Sequence, residues 1–381
     1  MLKVIISKDL KKNQQLIVIK SCKTFKIVDK VTTGAQIKKE CSVKKACTLY
    51  FIYLSLSGGR NIHRYHQEEM PQITVWSSED NKKHKLMDYN LRPIPLLHIF
   101  DKKHFEENLL PKQMITYRHQ PQKISHEKIN NLIENLLEEI NQKQKEYTDF
   151  KPLKASGFVR HKKCGLLILK FKNYPFVLKL FIEPPCSFVN PYDKGFEVTN
   201  VFIAGGAMRH TLGFSRIKTL NCIKIFLEKN AQWKNRIILP RKWFWLPQKP
   251  IWLNIKTKNL GKKKKDFISV PSIYGVIADE LEKDPTKTID YYELMEFSRL
   301  LDHRIDPHTK NFFIEKHTEK IALIDTELFP IILGFNEKIQ PQTSHLTWYV
   351  HLAGKYVKEK ALTPYYKRKE RHRNTKHYYV D

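Results

Sequence analysis

The segment Leu300–Leu328, LLDHRIDPHTKNFFIEKHTEKIALIDTEL, decides how this chain is interpreted. Its apolar run IALI predicts a short buried strand, and the run FFI predicts the other arm of a hairpin. Asp306 and Asn311 precede the first arm, and Asp325 ends the second. A carboxylate and a carboxamide therefore leave one loop, while a second carboxylate leaves the end of a neighbouring strand.

These residue types suit chemistry on a nucleoside triphosphate. Oxygen ligands from aspartate and asparagine hold Mg²⁺ on the phosphates, and a second aspartate orients the attacking hydroxyl. The alternative is an ordinary core hairpin with two acids on its surface. The residues just upstream, 288–302, place apolar side chains about 3.6 residues apart, which predicts a helix that leads into the loop.

The order of helix, loop, hairpin and aspartate resembles the protein-kinase-like superfamily, whose catalytic loop reads D-x-x-x-x-N. The loop DPHTKN, residues 306–311, is more similar to the D-x-H-x-x-N loop of atypical and small-molecule kinases than to that of standard protein kinases. The resemblance implies an α+β, two-lobed kinase-like fold that uses ATP and Mg²⁺.

The resemblance also implies roles for individual residues. Asp306 would accept or orient the hydroxyl of the acceptor, and Lys310 would supply charge to the transferring γ-phosphoryl group. Asn311 and Asp325 would bind Mg²⁺. His308 has a structural role in this interpretation.

Such a site needs a lysine that contacts the α- and β-phosphates. The run VLKLF carries Lys179 and is predicted to pair with the strand 165–171 across a turn. A lysine between apolar residues is either an edge-strand side chain that reaches solvent or a paired functional amine. Glu197 is the expected partner, and Glu228, on a helix predicted over 216–229, is the competitor.

Two further segments are candidates for nucleotide contacts. The run 271–281 predicts a strand that ends in a turn, where Asp279 and Leu281 would form an adenine-binding hinge that presents backbone groups to the purine. The segment 205–210 is either a plain loop or an anion-binding turn from which Arg209 reaches phosphate.

The sequence departs from the family at two points. No G-x-G-x-x-G motif precedes the lysine strand, so a glycine-rich phosphate loop is not expected. After Asp325 the residues are Thr326 and Glu327 instead of Phe-Gly, and no A-P-E segment follows. These departures favour either a small acceptor or a catalytically inactive scaffold, a pseudokinase of the same fold.

A different function class follows from charge. The chain of 381 residues has a net charge of +29, which favours polyanion partners unless it only reflects a solvated lysine-rich surface. Four tryptophans between 233 and 252 either form core strands or stack single-stranded bases. The basic tail YYKRKERHRNTKH, 365–377, could contact nucleic acid or an anionic membrane. A basic nucleic-acid-binding protein is therefore the competing hypothesis.

The organisation expected from the sequence has four regions. They are an N-terminal segment 1–59, an accessory region 60–149 with an amphipathic helix over 125–147, a kinase-like domain 150–345 with its lobe boundary near 280, and a basic tail 346–381. No transmembrane helix is expected. The stretch 43–59 is either a buried element or a signal-like segment, so the expected location is cytoplasmic, or exported if that segment acts as a signal.

Overall fold

The computed structural model of this chain describes the following residues: 3–7, 15–21, 24–30, 36–41, 72–87, 99–189, 207–259, 265–301, 305–306, 309–327 and 378–380. They belong to two compact units, one formed by residues 1–63 and 348–368 and the other by 64–347 and 369–381. The fold is α+β with mainly antiparallel sheets. The boundary expected near residue 150 therefore lies inside one compact unit.

The first unit contains a four-stranded antiparallel meander. Its strands are β1 (Lys3–Ser7), β2 (Gln15–Ser21), β3 (Thr24–Lys30) and β4 (Gln36–Cys41). The signal-like stretch 43–59 lies outside the described residues.

The second unit holds all the predicted site elements that the structure describes. In chain order its elements are β5 (Gln72–Ser77), β6 (Lys83–Met87), α1 (Lys102–Glu107), β7 (Ile115–Thr116), β8 (Lys123–Ile124), α2 (His126–Asn141), β9 (Phe150–Val159), β10 (Cys164–Phe171), β11 (Phe176–Ile182), α3 (Pro185–Val189), α4 (Ala207–Gly213), α5 (Ser215–Glu228), α6 (Ala231–Lys234), β12 (Ile237–Ile238), β13 (Lys242–Trp245), β14 (Trp252–Lys258), β15 (Lys265–Pro271), β16 (Ile273–Asp279), α7 (Tyr291–Leu300), β17 (Phe312–Ile314), β18 (Ile321–Leu323) and β19 (Tyr378–Val380).

A five-stranded antiparallel sheet in the order β13-β16-β11-β10-β9 forms the centre of this unit. The predicted pairing of the VLKLF strand with 165–171 is confirmed, because β11 pairs with β10. Since β11 also pairs with β16, Lys179 lies on a central strand and the edge-strand interpretation is wrong.

Helix α2 covers one face of this central sheet. Ser125 caps the helix by accepting a hydrogen bond from the Lys128 amide, 3.1 Å away. The predicted apolar stripe is buried against the sheet, where Ile133 packs in one core with Leu169 and Trp245. This packing joins the expected accessory region to the strands that follow it, because neither apolar surface could stay exposed to water.

An aromatic cluster covers the opposite face. The Phe181 and Tyr274 rings stack with centroids 4.7 Å apart, and Phe214 stacks on Tyr274 at 4.3 Å. The Tyr274 hydroxyl donates to the backbone oxygen of His210, 2.5 Å away. Burial lowers the pKa of His210 to about 3, although a hydrogen bond to the Pro271 carbonyl acts in the opposite sense. A neutral imidazole therefore completes this core.

A second, smaller core surrounds a three-stranded sheet in the order β12-β18-β17. The predicted hairpin is confirmed as β17 and β18, which pair antiparallel from Phe312 opposite Leu323. The predicted helix before the loop is α7, capped by the Asp290 side chain. The ring centroid of its Phe297 lies 5.0 Å from that of Trp233 in α6.

Another five-stranded sheet, in the order β15-β14-β5-β6-β19, joins strands from distant parts of the sequence. One face is buried, with Ile73, Val75 and Leu253 fully covered. Its strands β5 and β6 come from the expected accessory region, whereas β14 and β15 come from the expected kinase-like domain.

The tryptophan stretch is mainly core. Trp233 and Trp245 are each 1% exposed, and Trp243 and Trp252 are half-buried. The core interpretation is therefore confirmed for the first two rings. Within the described part of the chain, every helix is too short or too polar to cross a membrane.

The aromatic cluster leaves no room for a side chain at Gly213. A β-carbon there would overlap the Tyr274 hydroxyl and lie 2.7 Å from Phe181 Cζ. We expect Gly213→Ala to lower the free energy of unfolding by about 1–3 kcal/mol, despite the better helix propensity of alanine. Chemical denaturation measures the loss.

Gly275→Ala is the matched control for this prediction. A β-carbon at Gly275 would come within 2.8 Å of only one side-chain atom, the Leu178 Cδ1 methyl, which can rotate away. An equal loss in both variants would contradict the aromatic clash as the cause.

Candidate functional site

The candidate site forms around Asp325, Thr326 and Glu327, which follow β18. Basic side chains from four separate elements hold this short acidic segment. They are Lys179 of β11, Arg209 of α4, Arg216 of α5 and Lys242 of β13. The segment therefore connects the small sheet to the central sheet and its helices.

The two residues that the sequence predicts on either side of the nucleotide do meet. Lys179 Nζ lies 3.2 Å from Asp325 Oδ2. The Lys179 side chain is 16% exposed and that of Asp325 is 24% exposed, so the pair lies at the boundary of the interior. Lys179 is thus paired with a carboxylate at the edge of the interior and is not a solvated side chain.

Arg216 forms a bridge that the sequence did not predict. Its guanidinium donates to Asp325 Oδ1 and to Glu327 Oε2, and only 2% of the side chain is exposed. Arg209 donates to the other oxygen of Glu327. Arg209 therefore lies in the site, but it contacts a carboxylate and extends from a helix rather than from a loop.

Lys242 holds the backbone of the same segment. Its amine donates to the Ile324 carbonyl at 2.9 Å and to the Thr326 hydroxyl at 2.8 Å. The Thr326 hydroxyl in turn donates to the Arg216 carbonyl, 2.6 Å away. The basic side chains thus form hydrogen bonds with Thr326 and Glu327. These are the two residues at which the sequence departs from Phe-Gly.

Burial and charge perturb the ionisation of this cluster. Burial, together with the positive charge of Arg216, lowers the pKa of Lys179 to about 8, although Asp325 acts in the opposite sense. Burial, followed by the charge of Lys179, holds the pKa of Lys242 well below its ordinary value. Burial alone would raise the pKa of Asp325, but the charges of Arg216 and Lys179 lower it below its usual range.

The predicted catalytic loop lies beside this cluster. The Ile324 amide donates to the Asn311 carbonyl at 3.0 Å, so Asn311 is adjacent to the end of β18. The Asn311 side-chain amide donates to the Asp306 carbonyl at 3.1 Å. Lys310 is exposed on the intervening turn, and His308 lies outside the described residues.

Polar groups of the expected hinge already form hydrogen bonds and ion pairs within the protein. The Asp279 carboxylate is buried and accepts from Arg118 and Arg241, at 3.1 and 2.8 Å. The Asp279 amide donates to the Arg241 carbonyl, and the Glu280 amide donates to the Pro175 carbonyl. These two amides therefore serve the fold in this conformation, and Leu281 is a buried side chain.

Among the described residues, the carboxylate that contacts Lys179 is that of Asp325 and not a glutamate. Glu197 lies outside the described residues, and Glu228 is exposed near the end of α5, while Lys179 pairs with Asp325. Arg216 and Lys242 were missed. The sequence held a weak signal for Lys242, because it directly precedes the aromatic run WFW, although Arg241 precedes it and it is not flanked by apolar residues on both sides as Lys179 is.

Mg²⁺ usually takes one or two carboxylates and completes its shell with water and phosphate oxygens. Asp325 carries a carboxylate and Asn311 a carboxamide, and the Asn311 backbone is hydrogen-bonded to Ile324, next to Asp325. In this conformation Arg216 and Lys179 contact both Asp325 oxygens. Among the described residues no group of three or more His, Cys, Asp or Glu side chains could hold a metal ion.

The cluster suits phosphate better than it suits a metal alone. Four basic side chains face two carboxylates, and because burial lowers the pKa of Lys179 and of Lys242, the excess of positive charge grows as the pH falls. The buried Arg216 Nε has no hydrogen-bond partner among the described residues. A phosphate group would supply both the negative charge and the missing acceptor.

Comparison with known proteins gives no match to any family model, curated protein or solved structure.

The ion pairs predict a large effect of removing Asp325. Asp325→Ala would leave the buried Arg216 and Lys179 charges without this partner, and we expect a loss of about 3–5 kcal/mol in the free energy of unfolding. Denaturant titration measures it. The control Glu319→Ala removes a 72% exposed partner of Lys287 and should change nothing measurable. A small loss for Asp325→Ala would show that the cluster does not hold the fold.

The low pKa of Lys179 predicts that its amine reacts at a lower pH than other lysine amines do. A lysine acylates only when neutral, so labelling of Lys179 should rise through pH 8 and then level off. Lysines with an ordinary pKa near 10.4 should continue to gain reactivity above that pH. Peptide mass spectrometry after brief acylation gives both profiles at once. If the pH profile of Lys179 labelling coincides with those of surface lysines, the pKa of Lys179 is not lowered and the prediction is wrong.

Proposed function

We propose that this protein is an ATP- and Mg²⁺-dependent phosphotransferase of atypical kinase type that acts on a small acceptor. The observation that carries the proposal is the 3.2 Å contact between Lys179 and Asp325, two side chains from different sheets. A lysine on a sheet and an aspartate after a hairpin, meeting beside an asparagine-containing loop, is the arrangement that phosphoryl transfer uses.

Each residue has a distinct task in this proposal. Lys179 contacts the α- and β-phosphates, and Asp306 accepts the proton of the acceptor hydroxyl. The acceptor oxygen forms a bond to the γ-phosphorus as the bond from that phosphorus to the bridging oxygen breaks, and ADP leaves with the electron pair. Mg²⁺, held by Asp325 and Asn311, would neutralise charge on the phosphates.

Arg216 controls access to Asp325. Because its guanidinium contacts both Asp325 and Glu327, a metal ion reaches Asp325 only when Arg216 releases that carboxylate. Glu327 remains as a partner for Arg216 after this release. The residue can thus change partners without leaving its buried position uncompensated.

The same bridge favours a second candidate function, a catalytically inactive scaffold of the same fold. If Arg216 holds Asp325 permanently, the cluster is a structural ionic lock that fixes the acidic segment. The two candidates differ in whether nucleotide binding depends on Mg²⁺ and in whether phosphoryl transfer occurs.

Equilibrium binding of ATP to the full chain tests the proposal. We expect wild-type protein to bind ATP more tightly with Mg²⁺ than without it, and Lys179→Met to weaken binding at least about tenfold, the loss of one buried charge-assisted contact. Asp325→Asn should remove the Mg²⁺ dependence. Glu319→Ala is the control and should bind as wild type does. If the wild-type protein does not bind ATP, the proposal fails.

Turnover separates the enzyme from the scaffold. Wild-type protein should release ADP in the presence of a suitable hydroxyl acceptor, and Asp306→Asn should bind ATP normally but lose at least about a hundredfold in rate. Nucleotide binding with no turnover over a panel of small hydroxyl acceptors would favour the scaffold.

A further inference from the structure

The sheet β15-β14-β5-β6-β19 has two chemically different faces. One is covered by apolar packing, as described above. On the other, Phe267 is 57% exposed, and Lys83, Lys256 and Lys258 are exposed as well. Strand side chains alternate between faces, so the register assigns each residue to one side.

Aromatic rings form a platform on the open face. The Trp76 and Phe267 ring centroids lie 6.0 Å apart with an interplanar angle of 39°. Trp76 is half-buried and therefore held in place, whereas Phe267 presents most of its surface to solvent. Lys83 Nζ lies 6.0 Å from the Trp76 ring centroid. A basic group thus accompanies the rings.

Lysines lie in register with this platform. Thr74 faces Lys85 on one neighbouring strand and Lys256 on the other, and Lys256 faces Phe267. Tyr378 takes the position opposite Lys85 on the edge strand. One row therefore crosses all five strands, a span of roughly 19 Å at the usual strand spacing.

The open face carries charge of one sign. Among the positions that the register of β5, β6, β14 and β15 assigns to it, none is aspartate or glutamate. The polar residues there are hydroxyl and amide side chains such as Thr74, Asn254 and Ser269. Such a surface repels cations and attracts polyanions.

The occupant must match both the rings and the lysines. Single-stranded nucleic acid does, because its unpaired bases stack on exposed aromatic rings while its phosphates contact lysines. A duplex keeps its bases stacked within the helix and offers mainly phosphates.

We propose that this open face, defined by Trp76, Phe267, Lys83, Lys85 and Lys256, binds single-stranded nucleic acid without base specificity. The proposal does not depend on the phosphotransferase site, since no residue of the face belongs to the Asp325 cluster.

Fluorescence anisotropy with a labelled oligodeoxythymidylate of about 12 nucleotides tests this inference on the full chain. Phe267→Ala should weaken binding at least about fivefold, the lower end for one stacked base. Lys256→Gln should weaken binding and reduce the slope of log K against log salt concentration by about 0.7. An unlabelled duplex should compete more weakly than an unlabelled single strand.

Matched control variants change the same residue types elsewhere. Tyr292→Ala removes a 78% exposed aromatic ring, and Lys103→Gln removes an 86% exposed lysine side chain. Both should bind the oligonucleotide as wild type does, and circular dichroism should show all variants folded.

Three outcomes would overturn the proposal. They are no binding by the wild-type protein, equal effects of Phe267→Ala and Tyr292→Ala, and equal competition by duplex and single strand. The last would mean that only the net charge of the chain attracts polyanions.

Discussion

The arrangement of the second unit depends on the ion pairs and hydrogen bonds between four basic side chains and the segment from Asp325 to Glu327. Lys179 and Lys242 come from the central sheet, and Arg209 and Arg216 come from helices on its face. The acidic segment continues from β18 of the small sheet. Breaking one buried ion pair would leave charges without compensation, so sheet, helices and hairpin are held in one arrangement.

The same cluster links stability to the proposed chemistry. Burial and the charge of Arg216 lower the pKa of Lys179 to about 8. The charges of Arg216 and Lys179 lower the pKa of Asp325 below its usual range, although burial acts in the opposite sense, so the carboxylate stays ionised. Such perturbation is typical of functional sites, although structural ion networks also produce it. Arg216, shared between Asp325 and Glu327, is the residue whose partner choice distinguishes an enzyme from a scaffold.

The two proposed activities lie on consecutive strands, β15 and β16, which belong to different sheets. β15 carries Phe267 on the open sheet face, and after Ser272 the chain continues as β16 in the central sheet. The Glu183 amide donates a hydrogen bond to the carbonyl of Ser272, the residue between the two strands. A continuous backbone therefore connects the open face of this sheet to the strand next to Lys179.

The sequence by itself determined the local elements. Alternating and helical apolar patterns predicted β10 with β11, β17 with β18, α2 and α7, because neighbours in sequence must bury one common face. It also brought Lys179 and Asp325 to one site through a resemblance of motif order. Only the tertiary structure decided that Arg216 and Lys242 join them, that Asp279 is bound by Arg118 and Arg241, and that β5 and β6 share a sheet with β14 and β15. These contacts join residues far apart in the chain, and a charged side chain in an amphipathic pattern does not reveal which distant partner compensates it.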